Sequence, residues 1–321
     1  MKLYVARNKK MIDISNSCGE ISWSDGIDSL GVQLTFSTNN SSLKVGDYFQ
    51  LKKDNALITD GIAVTKDKGF YQNTINVFDF AWYLNESDEV IQFKNMGCKR
   101  AIEKLLNSYN IKIGNLEIPS ISFSYLYKDQ KISEIIKHIL SIVTNQTRLK
   151  FRMEMRQGKF HIEKYSELIV DPQYKNAINL AAMKNLDFIE TGFSYSESIE
   201  SMKNKVEVVS NSEQSVAIIE SLADEESINR YGLLKEVQVI DDEDISKAKN
   251  IAKNVLSDLN RITKDISINI LGDINLRSGR YVNLDNRFFS GKYLIKNTSH
   301  SYSDGIHKTS LTLGDDKNDV G

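Results

Sequence analysis

Leu43-Lys44-Val45-Gly46-Asp47-Tyr48-Phe49-Gln50-Leu51 has a partial double further along the chain, Leu276-Arg277-Ser278-Gly279-Arg280-Tyr281-Val282-Asn283-Leu284. The two segments share leucine, glycine, tyrosine and leucine at the same spacing, and Phe49 and Val282 put an apolar residue at a common position. In each, a glycine suited to a turn leads into a strand-like run. A second glycine, Gly61 or Gly291, then stands before another apolar stretch. Four matches in nine positions also arise by chance in a chain of 321 residues, so the echo counts through its context. It points to related antiparallel β-barrels in the first and last parts of the chain.

The surroundings of each copy read as strands. Ile21 and Trp23 alternate with polar residues, as do Val32, Leu34 and Phe36, and 47–51, 61–65 and 74–80 carry β-branched and aromatic residues. Ser24-Asp25-Gly26, Asn39-Asn40-Ser41-Ser42 and Asp67-Lys68-Gly69 punctuate them at the short intervals of a barrel or sandwich. After Asn95 the period changes. Cys98, Ala101, Ile102, Leu105, Leu106 and Tyr109 fall at helical spacing, and so do Ile132, Ile135, Ile136, Ile139, Leu140 and Val143 behind a cap expected at Asp129. Leu149, Phe151, Met153 and Met155, a turn at Gln157-Gly158, then Phe160 and Ile162 read as a hairpin.

Strand patterns return at 205–210, 215–220 and 237–240, and again at 265–271, 280–284, 292–298 and 307–313. Between these sets, Asp241 to Asp244 crowd negative charge at a helix start. Ile245, Ala248, Ala252, Val255, Leu256 and Leu259 continue it as one stripe. The acidic run lacks the ligand pattern of a calcium loop. The expected class is therefore mainly β with α+β. Residues 1–90 form a first barrel, 91–185 a small α+β domain, and 186–321 a second barrel with a helix inserted at 243–260. The end of the chain, 314–321, is expected to fray.

Composition sets the outer limits. Hydrophobic residues at 40% and charged residues at 26% are ordinary for a globular chain, and 41 basic against 43 acidic residues leave no surplus for wrapping nucleic acid. Cys18 and Cys98 stand alone, so neither a zinc knuckle nor a disulfide framework is encoded, and a reducing compartment fits. Lys9 and Lys10 interrupt any signal-peptide core, and the longest apolar run, 80–84, is far short of a membrane span.

No phosphate loop, zinc-protease, nucleophile-elbow or dinucleotide motif is present. His300 and His307 flank the turn Ser303-Asp304-Gly305, so a hairpin would bring their imidazoles together. With Asp304 the only further ligand nearby, hydrogen-bonded strand histidines are expected rather than a metal site. His138 lies among isoleucines and reads as structural. Neither a catalytic residue nor a cofactor is assigned. Trp23, Tyr48, Phe49, Trp82 and Tyr83 would suit sugar stacking, but at strand spacing they are more often core.

The order of units and several short motifs resemble the baseplate hub proteins of contractile phage tails and phage-tail-like bacteriocins. That group includes the late control protein D family and the N-terminal part of type VI secretion spikes. The likeness is nearest to the short hubs of defective prophages. It is carried by Ile21-Ser22-Trp23 with Leu34-Thr35-Phe36, by Val45-Gly46-Asp47, by Met202-Lys203-Asn204-Lys205-Val206 and by Ser227-Ile228-Asn229-Arg230-Tyr231-Gly232. Gly291-Lys292-Tyr293-Leu294-Ile295, Ser299-His300-Ser301 and Asp304-Gly305-Ile306-His307 complete the set.

The resemblance implies a structural protein, not an enzyme: a homotrimer whose six barrels adapt a sixfold tail tube to a threefold spike. Trp23, Gly46, Tyr48, Tyr231, Gly232, Gly279, Tyr281, Gly291, His300 and His307 would be architectural. Implied partners are the tail tube protein, the central spike, baseplate wedge or LysM-type baseplate proteins and the tape-measure protein, with DNA passing through the lumen. Assembly would occur in the bacterial cytoplasm and the product would reside in a tail particle, with any lytic activity on a separate protein. A tail-associated peptidoglycan-degrading enzyme and a carbohydrate-binding adhesin module are the competing readings.

Overall fold

In the computed structural model, which describes residues 1–165, 168–170, 188–210, 218–240, 242–285 and 290–315, the chain begins with seven strands. They are β1 (Lys2–Arg7), β2 (Lys10–Asp13), β3 (Cys18–Gly26), β4 (Gln33–Thr38), β5 (Tyr48–Lys53), β6 (Ala56–Lys68) and β7 (Asn73–Phe78). Two of the connections are tight because their central residues accept left-handed backbone: Asn8-Lys9 joins β1 to β2 and Asp54-Asn55 joins β5 to β6, all four at positive φ. Alternation then sends one face inward. Leu3, Val5, Leu34, Phe36, Phe49, Leu51, Ile75 and Val77 are almost wholly buried and form one core. Each such side chain contributes about 1.5–3 kcal/mol through its removal from water.

The later strands are β13 (Ile169–Val170), β14 (Phe188–Ser198), β18 (Thr263–Leu271), β19 (Tyr281–Asp285), β20 (Ser290–Ser303) and β21 (Ile306–Asp315). They join the first seven in a single thirteen-stranded sheet, through antiparallel pairing of β20 with β3. The order β3-β4-β7-β6-β5-β1 is repeated as β14-β18-β21-β20-β19-β13. One pairing differs between the copies: β1 lies antiparallel to β5, whereas β13 lies parallel to β19. Among the described residues the sheet is open, with β2, β14 and, on the branch through β19, β13 at its ends.

Between the two strand sets come α1 (Ala81–Glu86), β8 (Asp88–Gly97), α2 (Cys98–Ser108), β9 (Ile113–Leu116), β10 (Ser122–Lys131), α3 (Ile132–Thr147), β11 (Phe151–Arg156) and β12 (Lys159–Lys164). The buried stripes of α2 and α3 are those read from their spacing. The start of α3 differs. Asp129 sits inside β10 at positive φ, and the helix begins at Ile132 with no side-chain cap. Also beyond the periodicity was the long pair β8 and β10, whose residues are mostly exposed and so carry little apolar alternation. The hairpin of β11 and β12 turns at Gln157-Gly158, both at positive φ.

The chain divides into two compact units, 1–193 with 267–313, and 194–266 with 314–321. In the second unit, β15 (Lys205–Ser210), β16 (Ile218–Ala223) and β17 (Lys235–Ile240) form a sheet of their own in the order β16-β15-β17. α4 (Glu225–Tyr231) and α5 (Ala248–Leu259) accompany them, and Ala248 and Ala252 of α5 pack on Val206 and Val208 of β15. The strands at 205–240 thus do not extend the second strand set; they fold separately between β14 and β18. The boundary expected at 185, most of the fraying terminus and the side chains of the acidic run 241–244 lie outside the described residues.

Candidate assembly interface

The two halves of the echo make the same turn. Gly46 at φ +86° donates its N–H to the Ala63 carbonyl at 2.8 Å, and the Ala63 N–H returns to Asp47 O at 2.9 Å. Gly279 at φ +75° donates to the Ile295 carbonyl at 2.8 Å, and the Ile295 N–H returns to Arg280 O at 2.8 Å. Tyr48 then pairs with Ile62, and Tyr281 with Leu294. This register makes Gly61 the counterpart of Tyr293, so the second pair of glycines is not equivalent. Gly61 lies within β6, where a Cβ would meet the Phe78 carbonyl oxygen at 1.9 Å, whereas Gly291 is at the start of β20 at φ +138°.

After each turn glycine stands a charge with a partner of opposite sign. Asp47 accepts two hydrogen bonds from the Arg7 guanidinium of β1, both 2.5 Å, and one from the Lys44 N–H. Arg280 donates to both Glu154 oxygens of β11 at 2.7 and 2.5 Å. Glu154 also accepts from Arg156 at 2.8 Å, and the Arg277 Nε lies 3.3 Å away. Burial alone would raise the Glu154 carboxyl, but Arg277, Arg280 and Arg156 outweigh it and hold it at about 2. Arg152, one turn of the pleat earlier, donates to the carbonyls of Gly26 and Ile27 and to Ser278 Oγ. β11 therefore buries both faces: Phe151, Met153 and Met155 on the helical core, Arg152 and Glu154 against the second copy of the echo.

At the joint of β3 with β20, Trp23 pairs with His300. Their rings stack at 4.7 Å and 4°, and His307 lies 5.1 Å from Trp23. His300 Nε2 sits 3.1 Å from the Leu276 carbonyl, so it carries the proton, and Nδ1 accepts from Thr309 Oγ1 at 2.9 Å or from His307 Nε2 at 3.1 Å. Burial pushes both imidazoles well below their usual range and keeps them uncharged. Asp25 ties the same joint together, accepting from the Ser278 N–H and from Thr298 Oγ1. Among the described residues, no group of three or more His, Cys, Asp or Glu side chains is placed to hold a metal ion.

The remaining residues singled out by sequence are dispersed. Tyr48 donates its hydroxyl to Asp60 at 2.6 Å, and Tyr281 is buried with Lys292 over its ring at 4.1 Å. Tyr231 and Gly232 end α4 in the other unit, where Gly232 takes φ +85° and its carbonyl accepts from Asn204 Nδ2. Trp23 and Phe49 are core residues, so neither presents a ring for a sugar. Arg152, Glu154, Arg277 and Arg280 were missed: strict alternation marked Phe151, Met153 and Met155 as the inward face, and only the odd charge density opposite them hinted at a second buried face.

None of the curated proteins matches the chain. Solved structures do. A tail protein from Neisseria meningitidis MC58 superposes with a TM-score of 0.74 at 13% identity, over 98% of this chain and 96% of that one. The 43 kDa tail protein of prophage MuSo2 from Shewanella oneidensis gives 0.69 at 10% identity, covering 98% of each chain. The E. coli c3393 protein, described as a type VI secretion component similar to the T4 tail proteins gp27 and gp5, gives 0.55 at 7% identity over 99% of this chain and 78% of its own. The fold is that of phage tail proteins, and a family profile matches residues 21–314: the chain belongs to the YQBQ-like family.

Proposed function

We propose that the chain is a structural hub of a phage-type tail, a trimer presenting six near-equivalent strand sets to a sixfold tube and three equivalent faces to a threefold spike. The observation that carries this reading is the strand order read twice within one chain. A protein holding two copies of one unit is what a sixfold-to-threefold junction requires of three subunits. In this reading 1–90 supplies the first barrel, the strands at 169–170, 188–198 and 263–315 supply the second, and the elements between 91 and 165 are a buttress between them. The tube, the spike, the neighbouring baseplate proteins and the tape-measure protein are the partners, and the chain performs no chemistry. The test is the structure of tail particles from cells expressing this chain. Three copies where the tube meets the spike are expected. Absence from the particle, or six copies, would sink the reading.

A further inference from the structure

The large sheet has a second face, opposite the one that carries Trp23, Leu34, Val77 and His300, and at the joint of the two strand sets that face is hollowed. Four residues stand there in one row across neighbouring strands. Phe78 of β7 pairs with Gln33 of β4, Gln33 with Ser24 of β3, and Ser24 with Ser299 of β20. β21, next in the sheet, adds Ser310 and Thr312. With strands about 4.8 Å apart, a floor crossing five of them is about 19 Å long. α1 brings Trp82, Asn85 and Glu86 to the same hollow, and the link between β3 and β4 brings Asp28. The volume is about 690 Å³, the size of a small-molecule site.

The lining is rich in groups that both donate and accept. Among the described residues, the side chains of Ser24, Asn85, Asn297, Ser299 and Thr312 make no hydrogen bond within the chain, which leaves hydroxyls and amides open to a ligand. Trp23 and Phe49 lie in the core, but Trp82 is half-buried at the side of the hollow, held by the Tyr83 ring at 5.2 Å and 72°. A flat ring beside a row of hydroxyls and amides matches a sugar, whose C–H face is apolar and whose rim is polar.

Charge narrows the class. No Lys, Arg or His is among the lining residues, so a sugar acid or sugar phosphate would find no counter-charge. Two of the carboxylates are committed to the fold: Asp79 accepts from the Val32 and Ala81 N–H groups at 2.7 and 3.0 Å, and Asp25 from the Ser278 N–H and Thr298 Oγ1. Asp28 and Glu86 are exposed, where they accept hydroxyl hydrogens but would hold a cation only weakly.

We propose that this hollow binds a neutral oligosaccharide, with hydroxyls bonded to Ser24, Ser299, Asn85 and Asn297 and one ring laid on Trp82. This adds a binding function to the chain and does not depend on how the chain assembles. The test uses the full chain. Trp23 and Trp82 are its only tryptophans, and Trp23 is 6% exposed, so a ligand in the hollow changes the emission of Trp82. Chitotriose, maltotriose and mannotriose are each titrated by tryptophan fluorescence and by saturation-transfer NMR. At least one should shift the emission and receive saturation at its ring protons, and trigalacturonate should do neither. Affinity should fall about tenfold in Asn85→Ala, through lost hydrogen bonds, and vanish in Trp82→Ala. Trp82→Phe keeps a ring and should keep NMR-detected binding, which separates loss of the plate from loss of the fold. Three results would overturn the proposal: no response to any of the three neutral sugars at millimolar concentration, binding undiminished in both alanine variants, or a preference for trigalacturonate or spermidine.

Discussion

Single residues set the turns and the charge state of the joint. Gly46 and Gly279 adopt the same left-handed backbone, which costs a side-chain-bearing residue about 1–2 kcal/mol. Space distinguishes them: a Cβ at Gly46 meets nothing within 4 Å, while at Gly279 it would lie 2.6 Å from Cδ of the buried Arg152. Gly279→Ala should therefore lower the urea midpoint clearly more than Gly46→Ala, and equal losses would show that Arg152 yields freely. Acid acts on the same joint. His300 and His307 are uncharged when folded but titrate near 6.5 when unfolded, so the unfolded chain binds more protons below that pH. Their contribution is present above about pH 6.5 and is lost as the pH falls. Burial raises Asp79 to about 7, which opposes this with one group against two. Melting temperature should fall between pH 7 and 5, and less steeply in His300→Asn; an unchanged slope would place the acid sensitivity elsewhere.

Elements are held by pairs the periodicity did not reveal. Among the described residues Glu154 on β11 is the only carboxylate hydrogen-bonded to Arg280, and removing it takes the counter-charge from a buried guanidinium. Glu154→Ala should cost about 3–5 kcal/mol, whereas Asp47→Ala, at the more exposed pair with Arg7, should cost less; the comparison by denaturant titration decides whether β11 clamps the second turn. Helices were legible because Ile135, Ile136, Ile139 and Val143 repeat at one period and meet one core. β8 was not, since Phe93 is its one buried residue and the exposed Val90 beside the half-buried Ile91 breaks the apolar alternation. Nor was the buried role of Arg152, for which a single sequence offers charge but not the surface facing it.

For the whole molecule, the repeat was legible at Gly46 and Gly279 because turn chemistry narrows residue choice. It was hidden at β3 and β14, whose shared serines stand among residues free to differ. The 199–262 segment further obscured it by separating β14 from β18, where the first set has only the short link from Gly26 to Gln33. Replacing residues 199–262 by residues 27–32 should leave a chain with the strand content of the sheet and a cooperative melt. Loss of the melt would mean that the inserted unit is needed to hold the sheet together.

A chain that contains two versions of one unit risks exchanging their parts while it folds. The swap of sign between Asp47 and Arg280 guards against this. Were the first turn to settle on β11, Asp47 would meet Glu154, and the second turn against β1 would set Arg280 beside Arg7. Both errors bring like charges together, so each half of the molecule recognises its own half and rejects the other.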